Sequence, residues 1–309
     1  MNLLNAIVPV IATLLVGVVL RLRNMISAEG IDGLQSLVVN VTLPVVLFSN
    51  FYKTSLTSNE AIMPLIMFLA VGLTLAAGKM ICKKTKKDAA VLPFLISGYE
   101  AGMLGFALAS LLDDNITSFA MLDIGHDFAI FTIYIAMLKA ANGGKQKFTD
   151  SLTGIFKTPV LIAILLGVLL GVSGIGAKIA ATNCGELIDN VCSFISAPTS
   201  AVILVVVGYR MNFKSVNWSK VLKVSALRAA LSAAAALIIV GLFKLVGGNL
   251  DTKIAIQSAV LMFILPPPFI LPLYEKDEED KEFCASAISF YTLISIVAFA
   301  FLAAFATAA

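Results

Sequence analysis

One carboxylate in this chain stands where carboxylates are rarely tolerated. Glu100 lies in Ser97-Gly98-Tyr99-Glu100-Ala101-Gly102-Met103-Leu104-Gly105, inside a run that is otherwise apolar. An acid at mid-membrane costs about 2.5–3.5 kcal/mol on insertion scales, so it must be paired, solvated or protonated. Those states suit a proton or cation site that also touches a solute. The structural reading is a carboxylate capping the freed N–H groups of a half-helix. Gly98, Gly102 and Gly105 around it let other backbone come close. Asp123, His126 and Asp127 form a second group, and His126 is the only histidine. Spacings of three and four put them on one helical face. They read as a proton relay beside Glu100 or as a polar seam between helices. The third feature is Pro266-Pro267-Pro268 with Pro272. Prolines lack the N–H and clash with earlier carbonyls, so the helix stops there. Carbonyls from Met262 to Leu265 are freed for a cation, water or solute. Asn40, Thr42 and Pro44 make a polar, bent segment, as do Ser196, Pro198, Thr199 and Ser200; each lines a cavity or bonds to a neighbouring helix. Arg228 reads as snorkelling, with pairing to an acid as the alternative.

The elements that must position these groups are membrane spans. The chain is 59% hydrophobic and 13% charged, with a mean hydropathy of +0.97, against roughly 25% charged in soluble domains. A span takes about 20 apolar residues, and ten segments qualify: 5–22, 33–51, 61–82, 89–112, 116–138, 152–174, 186–210, 221–246, 252–274 and 283–306. The predicted fold is an all-α polytopic membrane protein without a soluble domain. The first run lacks the pattern of a cleaved leader and is expected to stay as a span. At 1.5 Å per residue, Glu100 and Asp127 fall roughly 16 Å into their spans, near the middle of an approximately 30 Å core. The triple proline lies at similar depth. Of the 22 basic residues, all but Lys53, Lys178, Lys244 and Lys253 fall in the odd-numbered connections or at their edges. Basic residues collect on the cytoplasmic side, so both termini are expected outside the cytoplasmic membrane.

An internal repeat is legible. Pro9-Val10 and Pro159-Val160 open spans 1 and 6, and Leu15, Gly17, Val18 and Leu20 match Leu165, Gly167, Val168 and Leu170. Pro44 and Pro198 occupy spans 2 and 7, and breaks fall in spans 4 and 9. Five spans per half force opposite orientations, giving inverted repeats over 1–145 and 146–309. Paired interruptions of this kind mark the binding site of a secondary transporter. Other chemistry is poorly served. One histidine cannot make H-E-x-x-H, no G-x-S-x-G is present, and there is no Walker A sequence. Glu100 with Asp127 imitates a protease dyad, without other support. The four cysteines, Cys82, Cys184, Cys192 and Cys284, form no C-x-x-C and read as inert thiols. No enzyme activity, cofactor or nucleic-acid partner is expected.

The chain resembles the auxin efflux carrier family over essentially its whole length. The resemblance lies in Leu43-Pro44-Val45-Val46-Leu47-Phe48, Gly102-Met103-Leu104-Gly105, Lys157-Thr158-Pro159-Val160-Leu161-Ile162-Ala163 with Leu166-Gly167, and Ala197-Pro198 with Val207-Gly208. The span 9 prolines and Thr292-Leu293 with Ser295 complete it. It implies that spans 4 and 9 cross in an X between a scaffold and a moving region, usually in a homodimer within the membrane lipid. It also implies a small organic anion as solute, moved by alternating access. Members commonly carry Asn at the place of Glu100 and Pro near Ala107. An acid there repels a carboxylate unless it is protonated, so proton coupling through Glu100 is expected. The alternatives are sodium coupling through Glu100 and carbonyls such as that of Leu265, a neutral or cationic solute, and a sensor or channel without coupled flux.

Overall fold

Apolar runs free of Gly and Pro clusters fold here as single helices, and the interrupted runs fold as pairs. The computed structural model describes residues 3–53, 60–82, 91–113, 115–141, 158–211, 217–274 and 278–308. In chain order the helices are α1 (Leu3–Leu22), α2 (Ala28–Leu37), α3 (Leu43–Phe51), α4 (Met63–Cys82), α5 (Leu92–Leu95), α6 (Phe106–Leu112), α7 (Thr117–Ala129) and α8 (Ile135–Ala141). They continue with α9 (Pro159–Val172), α10 (Ile175–Ala180), α11 (Asn183–Ser196), α12 (Thr199–Arg210), α13 (Trp218–Val246), α14 (Lys253–Ile264) and α15 (Glu278–Ala308). Local chemistry sets several starts. Ser27, Thr158, Thr182, Asn217 and Thr252 each accept an N–H of the first turn with their side chains, which satisfies donors that the helix itself cannot.

No strand occurs among the described residues. Six helical runs are long and apolar enough to cross a membrane: Ala28–Phe51, Met63–Cys82, Thr117–Leu138, Asn183–Arg210, Trp218–Val246 and Glu279–Ala306. Four shorter apolar helices accompany them: Val8–Leu22, Ala101–Leu112, Pro159–Val172 and Lys253–Ile264. Two of these, Ala101–Leu112 and Lys253–Ile264, are the halves left by the expected interruptions. Leu73, Leu237, Leu245 and Phe305 point outward, as side chains facing hydrocarbon do. This is an integral membrane protein. The repeat boundary at 145/146 lies outside the described residues, as do Lys83, Lys84, Lys86, Lys87, Lys145, Lys147, Lys157, Lys214 and Lys276 of the charge pattern.

Small residues bring two helix pairs together. α1 runs along α12, and α9 runs along α3. A Cβ on Gly17 would meet the Val205 carbonyl oxygen at 2.1 Å, and one on Gly208 would meet that of Leu14 at 2.0 Å. A Cβ on Gly167 would meet the Phe51 side chain at 2.8 Å and the Phe48 carbonyl at 3.2 Å. Gly17 and Gly167 are the glycines matched between the two halves of the sequence, and each packs on a helix from the opposite half. Helices in lipid associate through such close backbone approach.

The runs α2–α3 and α11–α12 are tied at both ends. Arg210 pairs with Asp32 at 2.6 Å, and Lys53 pairs with Asp189 at 3.0 Å. The Tyr52 hydroxyl also donates to Asp189 at 2.7 Å. About 21 residues separate the two charges on each run, roughly 31 Å of helix, close to an approximately 30 Å hydrocarbon core. A further group, α4, α7, α13, α14 and α15, packs around the broken segments.

Gly17→Val and Gly167→Val are expected to cost about 1–3 kcal/mol each through overpacking. Thermal unfolding in detergent should fall by several degrees for both. Gly72→Ala, where an added Cβ meets nothing within 4 Å, should leave the unfolding temperature unchanged or slightly raised.

Candidate functional site

Both expected breaks are present, and they touch. After α5 the chain leaves the helix at Ile96–Glu100, makes a wide π turn over Ala101–Gly105 and resumes as α6. After α14 it is non-helical from Leu265 to Ile270. The Glu100 N–H donates to the Pro266 carbonyl at 2.9 Å, and the Phe269 N–H donates to Glu100 Oε2 at 2.6 Å. One residue thus uses backbone and side chain to stitch the segments together. Gly98 adopts φ +70°, and a Cβ there would meet Tyr134, Ile130 and Pro268 at 2.9–3.1 Å. A side chain is therefore excluded by both conformation and space.

Several carbonyls at the breaks are already bonded to protein donors. Arg228 donates to Gly98 O at 2.7 Å, Leu265 O at 2.9 Å and Leu95 O at 3.0 Å. Its guanidinium lies 5.0 Å from the ring centroids of both Tyr99 and Tyr291. Ser295 Oγ donates to Ile264 O at 2.6 Å. The snorkelling expected of Arg228 is therefore overturned. It is 1% exposed and lies about 15 Å along α13, where the orphaned carbonyls outcompete the interface. A sodium ion at Leu265 would stand beside a fixed positive charge and compete for an oxygen already bonded.

A cavity of about 260 Å³ opens where the two broken segments meet, lined by Glu100, Gly102, Asp123, His126, Asp127 and Pro268 among others. Three π turns occur among the described residues, Val38–Thr42, Ala101–Gly105 and Ile130–Tyr134. Each supplies lining: Val39, then Gly102 and Met103, then Ile130. Such turns re-aim side chains within a continuing helix and recur at functional sites. Glu100, Asp123 and His126 are buried, while Asp127 is 33% exposed. The Tyr99 N–H donates to His126 Nε2 at 3.0 Å. That nitrogen carries no proton, so the neutral ring is protonated at Nδ1. Nδ1 faces Asp123 Oδ1 at 3.4 Å and Asp127 Oδ1 at 3.5 Å.

Other expected residues lie elsewhere. Pro266 contributes its carbonyl but, like Pro267, does not line the cavity; Gly105 is packed beneath Phe119 and Leu265. Asn40 turns its amide back to Ser36 O at 2.8 Å, and Thr42 is buried without lining the cavity. Neighbours Gln35, Val39 and Leu43 take their place. A second cavity, also about 260 Å³, is lined by Asn50, Ser110, Ser196, Thr199 and Ser200. Leu43 borders both cavities. Sequence reasoning missed Phe269, Tyr99 and the role of Arg228; an arginine within an apolar helix was the available signal.

A family model described as membrane transport protein matches residues 2–303. The chain belongs to that family, the auxin efflux carrier family that the sequence resembled. A protein of the archaeon Methanothermobacter thermautotrophicus, described as an uncharacterized transporter, is 22% identical over 305 residues, 95% of each chain. As a membrane transport protein, the chain places its buried acid and its two broken segments at one junction.

Arg228→Met removes three carbonyl partners from the crossing. It is expected to cost about 3–5 kcal/mol, the range for breaking a buried charged network. Arg228→Lys should recover less than half of the loss in unfolding temperature, because an ammonium lacks the planar fork that reaches separated acceptors.

Proposed function

We propose that this protein is a secondary active transporter that moves a small organic solute through the Glu100 cavity by alternating access, with proton coupling at Glu100. The observation that carries the reading is the double role of that residue. Its carboxylate faces the cavity and also accepts the Phe269 N–H from the opposite broken segment. Protonation weakens the acceptor and loosens the stitch, so occupancy of the cavity and geometry of the crossing change together. A charged acceptor forms roughly twice as strong a bond as a neutral one.

Several features support the wider architecture. Six long apolar helices and four shorter ones correspond to the ten expected spans. The pairing of α1 with α12 and of α9 with α3 exchanges partners between the halves, as two inverted five-helix repeats with crossing spans 4 and 9 would. We place the chain in a prokaryotic cytoplasmic membrane with both termini outside, following the basic residues. On that orientation the cavity lined by Glu100, Thr158 and Arg210 belongs to the inner side and the one lined by Ser196 and Ser200 to the outer side, with Leu43 lining both. Two half-channels separated by a thin wall are what alternating access requires. A homodimer is proposed on the family resemblance. An organic carboxylate, the solute which that resemblance suggests, fits only with Glu100 protonated. Sodium coupling is the weaker reading, given Arg228 at the crossing carbonyls.

In proteoliposomes, Glu100→Gln is expected to abolish accumulation driven by a pH gradient while leaving exchange at equal pH measurable. Full pH-driven accumulation in that variant removes the coupling reading. Gly102 lines the cavity, and an added Cβ there meets nothing within 4 Å. Gly102→Leu should therefore block flux at least ten-fold with little change in unfolding temperature.

A further inference from the structure

Besides tying α12 to α2, Arg210 borders two cavities. In the Glu100 cavity it is the one guanidinium or ammonium group among the described lining residues. It also lines an adjoining cavity of about 200 Å³, bounded by Val207, Phe269, Ile288 and Thr292 among others. Phe269 is the other residue common to the two. The residue whose N–H holds Glu100 therefore stands with Arg210 where the cavities adjoin.

The bond to Asp32 uses little of the guanidinium. Among the described residues one donor meets one oxygen, Nη2 to Oδ1 at 2.6 Å. The group carries five N–H donors, and a free carboxylate takes two of them in parallel. The pair is also wet: the Arg210 side chain is 35% exposed and that of Asp32 is 69% exposed. Ion pairs in that setting contribute little, because water screens them and two long side chains must be held still. Asp32 can therefore leave at small cost and stay hydrated when it does.

The other cation near the broken segments is committed. Arg228 holds three carbonyls and lines neither cavity. Glu100, Asp123 and Asp127 repel an anion from the rest of the Glu100 cavity, so its charge is best met at Arg210. We infer that Arg210 receives the carboxylate of the solute and that Asp32 is the internal carboxylate it displaces. The inference rests on the carrier reading above and adds the residue that recognises the solute's charge. Loading opens the tie between α2 and α12, and emptying restores it, so the guanidinium always has a counter-charge.

The two partners of the pair must then act in opposite directions, which a tie that serves packing alone does not predict. Propionate through hexanoate, malonate and succinate are titrated against thermal unfolding of the full chain at mildly acidic pH, with hexanamide as the uncharged control. Affinity is read from the titration midpoint, so the starting unfolding temperature of a variant does not enter. At least one carboxylate is expected to stabilise saturably, and hexanamide not. Arg210→Gln should weaken that carboxylate at least about ten-fold, as loss of a charged hydrogen bond does. Asp32→Asn should tighten it about two- to five-fold, the worth of an exposed ion pair, and the double variant should match Arg210→Gln. The inference is overturned if no carboxylate binds saturably, if both single variants weaken binding, or if Arg210→Gln leaves it unchanged. Proteoliposome flux separates this result from the carrier reading. Arg210-dependent binding without carboxylate flux upholds the site and removes the carrier. Carboxylate flux with the same KM in wild type and Arg210→Gln upholds the carrier and removes the site.

Discussion

Every peptide group removed from a helix inside a bilayer must find another partner, because hydrocarbon offers none. Two segments of this protein leave the helix at mid-span, and their orphaned groups meet at one point. Three acceptors, Gly98 O, Leu265 O and Ile264 O, go to Arg228 and the Ser295 hydroxyl, and two donors, the N–H groups of Glu100 and Phe269, go to Pro266 O and the Glu100 carboxylate. A buried unsatisfied group costs about 1–3 kcal/mol, so the crossing holds only if these partners stay in place. Burial of a guanidinium is itself costly. Three carbonyls and two aromatic faces offset that cost.

The two charges hold the same pair of non-helical segments. Arg228 grips Gly98 and Leu265, and Glu100 grips Phe269. The guanidinium faces protein on all sides, whereas the carboxylate faces a cavity. The junction of the two segments therefore has a buried cation on one side and a cavity-facing carboxylate on the other. His126 belongs to the carboxylate side. Its ring lies between the Tyr99 backbone N–H and the Asp123 and Asp127 carboxylates.

The sequence announced the breaks because proline runs and an acid among glycines are local signals that no tertiary contact can hide. Glu100, Gly102, Asp123, His126, Asp127 and Pro268 meet for that reason. What depends on neighbours was less legible. The three π turns each line the cavity, and no composition marks them. Asn40 was misjudged because its amide is satisfied within its own helix at Ser36, a common outcome for Asn and Ser. The bond from Arg228 to Leu265 O joins residues distant in sequence and so was not legible. The matched glycines were visible as a repeat, but only packing revealed that Gly17 and Gly167 each grip the other half.

The paired ties Asp32–Arg210 and Lys53–Asp189 have a mechanical meaning. Sliding one of these long helices along the other by a single turn, about 5.4 Å, would pull the charges apart at both membrane surfaces at once. The two ties therefore favour one register of the two runs at both ends. Leu43, on the α2–α3 run, lines both cavities.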